Sequence, residues 1–346
     1  MTTSRVDLKA LAAHLGLSPA TVSRALSGHR AIRASTRERV ATAASELGYR
    51  PNASARRLAT GRANAIGLVF PLERLLLSQT LFLDVLTGIT ELVTKRNHDL
   101  VMSPFSENDE AVYRRLASSR SVDGFVVTGP RVRDARVPLL QSLGLPFVLH
   151  GRTESEVPYS FVDIDNEAVF AKPANLLLDL GHRRIAALNA PTEFTYAMAR
   201  ARGFRRALEA RGLTPDPALE HETAMNEEAG SMLTRQLLEG PAPPTAIICG
   251  SIFLALGAYR ALRDLGLEPG RDVSIVAHDD VIREIRATQF EPPLTATESS
   301  LRQASGRAAE VLLDRIASEP EHTEPVQEIW PVELVFRGSA APAPGG

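Results

Sequence analysis

From Ala65 onward, the sequence alternates short apolar runs with longer amphipathic stretches, and this alternation restricts the folds open to the chain. The apolar runs have the length of buried strands and cover residues 65–70, 99–102, 124–128, 147–150, 185–189, 246–249 and 274–277. Apolar residues at helical spacing lie between them, over 84–96, 166–180, 200–211, 228–238, 253–265 and 301–317. Apolar strands separated by helices are typical of parallel sheets. We therefore predict an α/β core of two Rossmann-like parallel-sheet subdomains with a cleft between them.

The first 50 residues follow a different pattern, that of three short helices. Asp7 is placed to cap the first helix, which Gly16 ends, and the second starts at Pro19. The run Ser35-Thr36-Arg37-Glu38 is a capping-box pattern and predicts the start of a third helix that ends at Gly48. Two helices joined by a short turn form a helix-turn-helix. The sequence therefore predicts an all-α helix-turn-helix DNA-binding domain.

The second of these helices has the residues needed to approach DNA. Ser18 supplies an N-cap oxygen, and Pro19 suits the first helical position because its missing N–H has no partner there. Val22 and Leu26 point into a core. The opposite face is narrow and polar, and such a face can reach base edges in the major groove. We predict that it contacts DNA through Ser18, Pro19, Ala20, Thr21, Ser23 and Arg24.

Charge is unevenly divided along the chain. Residues 1–62 contain 11 Lys and Arg and 3 Asp and Glu, a net +8, whereas the remainder carries −10. A basic segment on an acidic body is expected of a nucleic-acid module joined to another domain. The alternative, a basic N-terminus that only aids solubility, does not explain the ordered helical pattern.

Length and composition indicate a protein of two or three domains without disulfides. The 346 residues exceed one small domain, and Cys249 is the single cysteine, which suits a reducing compartment. The N-terminus lacks a signal-peptide pattern, and no apolar run reaches the roughly 20 residues of a membrane span. We therefore expect a soluble, cytoplasmic protein with no membrane partner.

Short motifs are spread along nearly the whole chain in a characteristic order. The N-terminal motifs are Leu17-Ser-Pro-Ala-Thr-Val-Ser-Arg-Ala-Leu26, Thr36-Arg-Glu-Arg-Val40, Leu47-Gly-Tyr-Arg-Pro-Asn52, Ala55-Arg-Arg-Leu58 and Ile66-Gly-Leu-Val69. The later motifs are Asp165-Asn-Glu-Ala168, Leu180-Gly-His-Arg-Arg-Ile185, Leu256-Gly-Ala258, Val273-Ser-Ile-Val276, Asp279-Asp280 and Pro292-Pro-Leu-Thr295. Through these motifs the sequence resembles the LacI–GalR family of bacterial transcriptional regulators over nearly its whole length. The resemblance implies a homodimer that binds a pseudo-palindromic double-stranded operator, with a core like that of type I periplasmic binding proteins.

Domain boundaries follow from the resemblance. It divides the chain into a helix-turn-helix domain at 1–50, a hinge helix at 51–61 and an effector-binding and dimerisation core at 62–338. One subdomain is expected over 62–162 and 293–325, and the other over 163–292 and 326–338. The Ala/Pro/Gly-rich tail at 339–346 is expected to be disordered, and it shows no leucine heptad for further assembly.

Within the DNA-binding part, the resemblance assigns roles to individual residues. Pro19 and Ala20 match positions that vary with the operator, whereas the other residues of that face match general contacts. Residues 52–58 match the hinge helix that enters the minor groove, with Asn52 and Ala55 in register. Leu58 matches the residue that wedges between base steps and kinks the duplex. The alternative for Leu58 is ordinary packing against the core.

Within the core, the resemblance points to four effector contacts: Phe82, Asp165, Arg200 and Asp279. Carboxylates and guanidinium groups hydrogen-bond vicinal hydroxyls, and an aromatic ring covers a sugar face. The competing interpretations are a helix N-cap for Asp165, a surface ion pair for Arg200 and core packing for Phe82.

The core also departs from the family pattern. Gly250-Ser251 replaces an Asn-Asp pair, Met225 an aromatic residue, and Ala277-His278 a Gly-aromatic pair, while His150-Gly-Arg152 is either a further contact or a loop. These changes favour a roomier pocket, for a disaccharide such as an α-glucoside. The expected function is repression of carbohydrate-utilisation genes, relieved by a sugar. A regulator or activator that responds to a purine or another small molecule is the alternative.

An enzyme on the same fold is the remaining alternative. Cys249 with His278 and the two aspartates suggests a thiol catalyst or a metal site. However, Cys249 ends an apolar strand, where a free cysteine is usually a small hydrophobe. The sequence has no phosphate loop, no paired-histidine helix and no nucleophile elbow. We expect no enzyme activity, no cofactor and no metal.

Overall fold

The structure is a computed structural model that describes residues 6–26, 31–49, 62–72, 79–106, 108–318 and 324–344. The chain divides into two compact units, Met1–Ala63 and Asn64–Gly346, which we call the N-terminal unit and the core unit. None of the helices in the described ranges combines the length and the apolar character needed to span a bilayer.

The N-terminal unit contains α1 (Leu8–Leu15), α2 (Pro19–Leu26) and α3 (Ala34–Glu46). Asp7 caps α1 by accepting a hydrogen bond from the backbone N–H of Ala10 at 2.8 Å, and Gly16 ends the helix with φ of 63°. Leu11, Val22 and Val40, one from each helix, are fully buried in a common core. The three-helix arrangement is as predicted.

α3 begins close to the predicted position near Ser35, but the predicted capping box does not form. The helix begins at Ala34, and the N-cap residue Arg33 makes no side-chain cap. The backbone carbonyl of Arg33 already accepts a hydrogen bond from Arg37 N–H at 3.1 Å, so Ser35 lies inside the first turn and cannot cap it. The capping-box pattern therefore marks the right region and the wrong residue.

The core unit alternates strands and helices. Its elements in chain order are β1 (Ala65–Pro71), α4 (Gln79–Lys95), β2 (Asp99–Phe105), α5 (Asp109–Ser118), β3 (Gly124–Thr128), α6 (Arg136–Ser142), β4 (Phe147–His150), β5 (Ser160–Ile164), α7 (Asn166–Asp179), β6 (Ile185–Asn189), α8 (Thr195–Glu209), β7 (Glu220–Glu222), α9 (Glu227–Leu238), β8 (Ala246–Cys249), α10 (Ile252–Asp264), β9 (Ser274–Asp279), β10 (Thr295–Glu298), α11 (Leu301–Ala317), β11 (Gln327–Trp330) and β12 (Glu333–Val335).

These strands form two sheets within the described residues. The first has the order β11-β5-β4-β3-β1-β2 and the second the order β12-β10-β9-β8-β6-β7. All neighbouring pairs run parallel except β10 and β12, which are antiparallel. Helices cover both faces of each sheet, which explains why the inner strands are buried throughout. The predicted α/β core with two parallel-sheet halves is confirmed.

The chain passes between the two halves at three places, which corrects the predicted subdomain boundaries. It crosses between β5 and α7, between β10 and α11, and between β11 and β12. Residues 295–298 pair with β9 in the second half, and 327–330 pair with β5 in the first half. The predicted boundaries place each of these segments in the opposite subdomain, because short strands of mixed polarity carry no sequence signal for the sheet they join.

The prediction of a disordered tail is wrong for residues 339–344. Ser339 is fully buried, and its Oγ accepts a hydrogen bond from Thr295 N–H at 2.8 Å and donates one to Ile275 O at 2.6 Å. Further along, Ala343 N–H donates to Leu180 O at 2.9 Å. Small side chains, which suggested disorder, allow this segment to lie close against the second half. Residues 345–346 are outside the described residues.

Candidate functional site

The predicted DNA face of α2 is presented on the surface of the N-terminal unit. Pro19, Ala20 and Arg24 are exposed, whereas Thr21 and Ser23 are half-buried. The opposite side packs inward through Val22 and Ala25, with Leu26 half-buried. The side of α2 that faces away from the core of the N-terminal unit therefore carries the residues that the sequence predicts for DNA contact.

Ser18 organises the start of this helix. Its Oγ accepts a hydrogen bond from Thr21 N–H at 3.1 Å and lies 2.9 Å from Thr21 Oγ1. The N-cap role of Ser18 is therefore confirmed, and the Thr21 hydroxyl is held in one orientation beside it. The hinge candidates Asn52, Ala55 and Leu58 lie outside the described residues.

A cavity of about 480 Å³ lies between the two halves of the core unit. We call it the cleft cavity. Residues that follow the carboxyl ends of strands in both sheets line it, the position where open α/β sheets bind ligands. Two of the predicted effector contacts, Phe82 and Arg200, line the cleft cavity, whereas Asp165 and Asp279 do not.

Arg200 is a buried cation in this cavity, with 5% of its surface exposed. Its Nε donates to Asn166 Oδ1 at 3.2 Å and its Nη1 to Gly250 O at 2.8 Å. Burial lowers the pKa of the guanidinium, and the carboxylates of Asp280 and Asp163 counteract this through space. Because both hydrogen-bond partners are neutral, the positive charge remains available to a polar ligand. A surface ion pair, the competing interpretation, does not fit this burial.

Close helix packing places Arg200 beside Asn166. Arg200 lies on α8 and Asn166 opens α7. The two helices pack so closely at Gly203 that a Cβ there would overlap the backbone carbonyl of Glu167. A glycine three residues after Arg200 therefore fixes the distance between these two side chains.

Asp163 adds a buried carboxyl group at the end of β5. Its Oδ1 accepts hydrogen bonds from Ile164 N–H at 2.8 Å and Asn166 Nδ2 at 3.0 Å. Arg152 Nε lies 3.2 Å from Oδ2. Burial raises the pKa of Asp163 to about 6, although the charge of Arg152 opposes the rise. This group therefore changes its charge close to neutral pH.

Asp165 and Asp279 have structural roles instead. Asp165 is the N-cap of α7, accepting from Ala168 N–H at 3.0 Å, which is the alternative that the sequence left open. Asp279 accepts from Val281 N–H at 2.7 Å and Ala287 N–H at 3.1 Å. These bonds hold Val281 in the left-handed region, with φ of 55°, which a β-branched residue rarely adopts.

The neighbouring residues of the same motifs reach the cavity. Asp163 and Asn166 flank Asp165, and Asp280 follows Asp279; all three line the cleft cavity. His278 Nε2 lies 3.5 Å from Asp280 Oδ1. Burial alone would raise the pKa of Asp280, but this contact and the charge of Arg200 hold it below its usual value. Sequence reasoning missed these residues by one or two positions.

The rest of the cavity wall is apolar and aromatic. Phe82 is buried against Phe70, with 5.0 Å between ring centroids. The ring of Tyr196 lies 5.1 Å from the Arg200 Cζ and stacks on Phe194, with centroids 5.8 Å apart. An aromatic surface beside buried polar groups is the combination that a sugar needs.

Several positions that depart from the family pattern lie in or next to the cleft cavity. Gly250 offers its carbonyl to Arg200, and Met225 and His150 line the cavity. Ser251 caps α10 by accepting from Leu254 N–H at 3.2 Å. Cys249 is fully buried, and this burial raises the pKa of its thiol. The thiol therefore stays protonated, which argues against a nucleophile at this position.

Comparisons of the sequence with known proteins agree with this geometry. The profile described as bacterial regulatory proteins, lacI family, matches residues 7–52, and that of a periplasmic binding protein-like domain matches residues 174–340. The HTH-type transcriptional regulator AglR of Rhizobium meliloti (strain 1021) is 45% identical over 341 residues, covering 98% of this chain and 95% of its own length. RafR of Escherichia coli, also an HTH-type transcriptional regulator, is 34% identical, covering 98% and 99%.

Solved structures give the same result. The Lac repressor dimer bound to operator and the anti-inducer ONPF has a TM-score of 0.83 at 25% identity, covering 98% of this chain and all of that one. The complex of the transcriptional regulator CelR with cellobiose has a TM-score of 0.69 at 29% identity, covering 97% and 100%. Relatives at this identity span both units, with the helix-turn-helix before the α/β core. The chain belongs to the LacI family of bacterial regulatory proteins.

Proposed function

We propose that this protein is a homodimeric repressor that leaves its operator when a sugar, of disaccharide size, fills the cleft cavity. The observation that carries the proposal is the buried Arg200 guanidinium, which has neutral hydrogen-bond partners and faces a cavity with an aromatic wall. The volume of about 480 Å³ lies in the range of small-molecule sites and accommodates more than one ring. The cellobiose complex of CelR supports a disaccharide.

On the DNA side, we infer that α2 of each protomer enters a major groove. Pro19 and Ala20 choose the base pairs, while Ser18, Thr21, Ser23 and Arg24 hold the backbone. Asn52, Ala55 and Leu58 act at the minor groove between the half-sites, with Leu58 as the wedge. The operator-bound dimer of the Lac repressor supports two copies on one operator.

The effector contacts of this proposal are Phe82, Arg200, Asn166, Asp163 and Asp280, all of which line the cleft cavity. Two relatives, AglR and RafR, are transcriptional regulators. The protonated thiol of Cys249 supports a site that binds its ligand without a catalytic nucleophile. We therefore place the protein with its DNA partner in the cytoplasm, as a regulator without catalytic activity.

Two measurements test the proposal. The operator is first selected from random DNA duplexes with the full-length protein. Operator binding is then followed by fluorescence anisotropy while mono- and disaccharides and nucleobases are added one at a time. We expect one disaccharide to weaken operator binding by roughly 5- to 150-fold. A response to a nucleobase alone, or turnover of any added compound, would contradict the proposed function.

A further inference from the structure

Besides the three chain crossings, backbone hydrogen bonds join the two halves of the core unit directly. The loop after β3 meets the segment that leads into α8. Val132 N–H donates to Glu193 O at 3.0 Å, and Thr195 N–H donates to Pro130 O at 3.1 Å. Arg131 and Phe194 form an isolated antiparallel bridge between these bonds. We call residues 130–132 and 193–195 the clasp.

Side chains reinforce the clasp. Thr195 Oγ1 donates to Pro130 O at 3.1 Å, and Arg131 Nε lies 3.8 Å from Glu193 Oε2. Thr195 is the first residue of α8, and the first N–H groups of a helix have no partner within the helix. The opposite half supplies that partner here. The clasp is therefore bonded directly to the helix that carries Arg200.

Strand order places the clasp well away from the crossings. It follows β3 and β6, which lie two strands from β5 in the first sheet and three strands from β10 in the second. With neighbouring strands about 4.8 Å apart, this is roughly 10–14 Å from the crossing edge. The two halves are thus joined by the chain on one side and by hydrogen bonds on another.

The clasp supplies part of the exposed lining of the cleft cavity. Most of the described residues that line the cavity are buried or half-buried, whereas Arg131, Pro191, Glu193 and Ala224 are exposed. Two of these belong to the clasp, and Pro191 lies two residues before it. Residues of both clasp segments thus form part of the cavity wall, where they can limit the length of a ligand.

We propose that the clasp sets the length of the effector: it closes over two sugar rings and excludes a third. A trisaccharide has to separate the two segments, which breaks both backbone hydrogen bonds and the Arg131–Glu193 pair. The Thr195 N–H and the Pro130 carbonyl are then left without these partners, so binding is disfavoured. This inference rests on the proposed sugar effector and adds Arg131, Glu193 and Thr195 as specificity-determining residues.

Thr195→Pro is the sharpest test of the clasp. Proline is tolerated at the first position of a helix and has no N–H to donate. The hydrogen bond to the Pro130 carbonyl is therefore lost while α8 remains. The preceding Phe194 has φ of −85° and ψ of 132°, which is compatible with a following proline. Thr195→Ala is the matched control, since it loses the hydroxyl and keeps the N–H. The Arg131→Ala, Glu193→Ala double variant removes the ion pair without touching α8.

The experiment measures affinities of the full-length protein by calorimetry for maltose and maltotriose and for cellobiose and cellotriose. In the wild type, we expect one disaccharide to bind at least tenfold more tightly than its trisaccharide. Thr195→Pro should reduce the ratio of disaccharide to trisaccharide affinity at least tenfold. The double variant should change this ratio in the same direction, and Thr195→Ala should change it less than threefold. Hydrogen exchange at the Val132 amide should be slow in the wild type and fast in Thr195→Pro.

Two results would overturn the inference while leaving the proposed function intact. One is a disaccharide preference that Thr195→Pro and the double variant leave unchanged, and the other is fast exchange at Val132 in the wild type. If none of the four saccharides and no other sugar binds the wild type, the proposed function fails, and the length limit fails with it.

Discussion

Arg200 is a buried, positively charged side chain in the wall of the cleft cavity, where a bound ligand would contact it. We expect Arg200→Ala to lower effector affinity by roughly 10- to 150-fold, because hydrogen bonds to charged groups contribute roughly 1.5–3 kcal/mol. Operator binding without effector should be retained, since the DNA face belongs to the separate N-terminal unit. Calorimetry with the effector and anisotropy with the operator measure the two affinities.

Arg202→Ala is the control for this variant. Arg202 lies on the same helix, where it pairs with Glu167 at 3.0 Å on the surface. Its loss should leave effector affinity within a factor of two, because exposed ion pairs contribute little. An effector response that survives in Arg200→Ala would show that the cavity is not the effector site.

Asp163 should make the stability of the core unit fall as the pH rises from 4 to 6. Its pKa is about 6 in the folded protein and near 3.8 in the unfolded chain, so the folded state binds more protons in this window. Folding therefore favours the protonated acid, and this advantage is lost as the group ionises. The difference corresponds to about 3 kcal/mol at 1.36 kcal/mol per pH unit.

Asp163→Asn tests this by removing the titration. Urea unfolding at several pH values between 4 and 8 should show the variant gaining stability relative to wild type up to about pH 6, and a constant difference above it. A wild-type minus variant difference that does not depend on pH would contradict the raised pKa.

The same residues show how far a motif can locate a site. The motifs Asp165-Asn-Glu-Ala168 and Asp279-Asp280 lie at the correct ends of β5 and β9, but the side chains reaching the cavity are those of Asp163, Asn166 and Asp280. An aspartate that caps a helix and one that faces a ligand are the same residue type at the end of a strand. The backbone path after the strand decides between them, and the sequence does not contain that path explicitly.

At the scale of the element, α2 should tolerate changes at Ala20 without losing its structure. Ala20 is exposed, so Ala20→Gln adds a side chain that reaches base edges and does not disturb the core. We expect selection from random duplexes to return an operator changed at one or two base pairs in each half-site. Non-specific DNA affinity should stay within threefold.

Ala13→Gln is the matched substitution on α1, where Ala13 is also exposed. It should return the wild-type operator. If Ala20→Gln also returns the wild-type operator, Ala20 does not choose base pairs.

The tail segment 339–344 should contribute measurably to the stability of the second half. Ser339→Ala removes the partner of Thr295 N–H and a bond to Ile275 O, both buried. An unsatisfied buried donor costs about 1–3 kcal/mol, so the free energy of unfolding in urea should fall by that amount. Ser142→Ala, which removes an exposed bond within α6 at 2.7 Å, should change it by less than 0.5 kcal/mol. Equal effects of the two variants would indicate a loosely held tail.

Element prediction succeeded where burial determines the pattern. The strands β3, β4, β6 and β8 are apolar on both faces, and their predicted bounds match the structure. Of the strands that sequence reasoning missed, β7, β11 and β12 lie at a sheet edge, whereas β5 and β10 lie inside a sheet and mix polar with apolar residues. Helices α5 and α6 were missed as well, being short and largely polar on the outside. Their positions depend on partners far away in the sequence.

At the scale of the whole molecule, the two halves of the core are joined both by the chain itself and by the clasp. Three chain crossings cannot be broken, whereas the clasp consists of two backbone hydrogen bonds, a hydroxyl bond and an ion pair. A ligand in the cleft cavity contacts both halves and lies between these connections. Ligand binding can therefore change how firmly the halves are held together without changing the crossings.

This arrangement predicts a reciprocal coupling between the two binding sites. If the effector weakens operator binding by a given factor, thermodynamic linkage requires the operator to weaken effector binding by the same factor, expected to be 5- to 150-fold. Calorimetry with the effector, performed on the free protein and on the protein saturated with selected operator, measures one factor. Anisotropy with and without effector measures the other.

A duplex with scrambled sequence should give a smaller factor in both measurements, because it lacks the specific contacts of α2. Two unequal factors for the selected operator would mean that the effector acts at a site or in an assembly other than the one that binds DNA. Equal factors that both shrink in Thr195→Pro would make the clasp part of the coupling between cavity and operator.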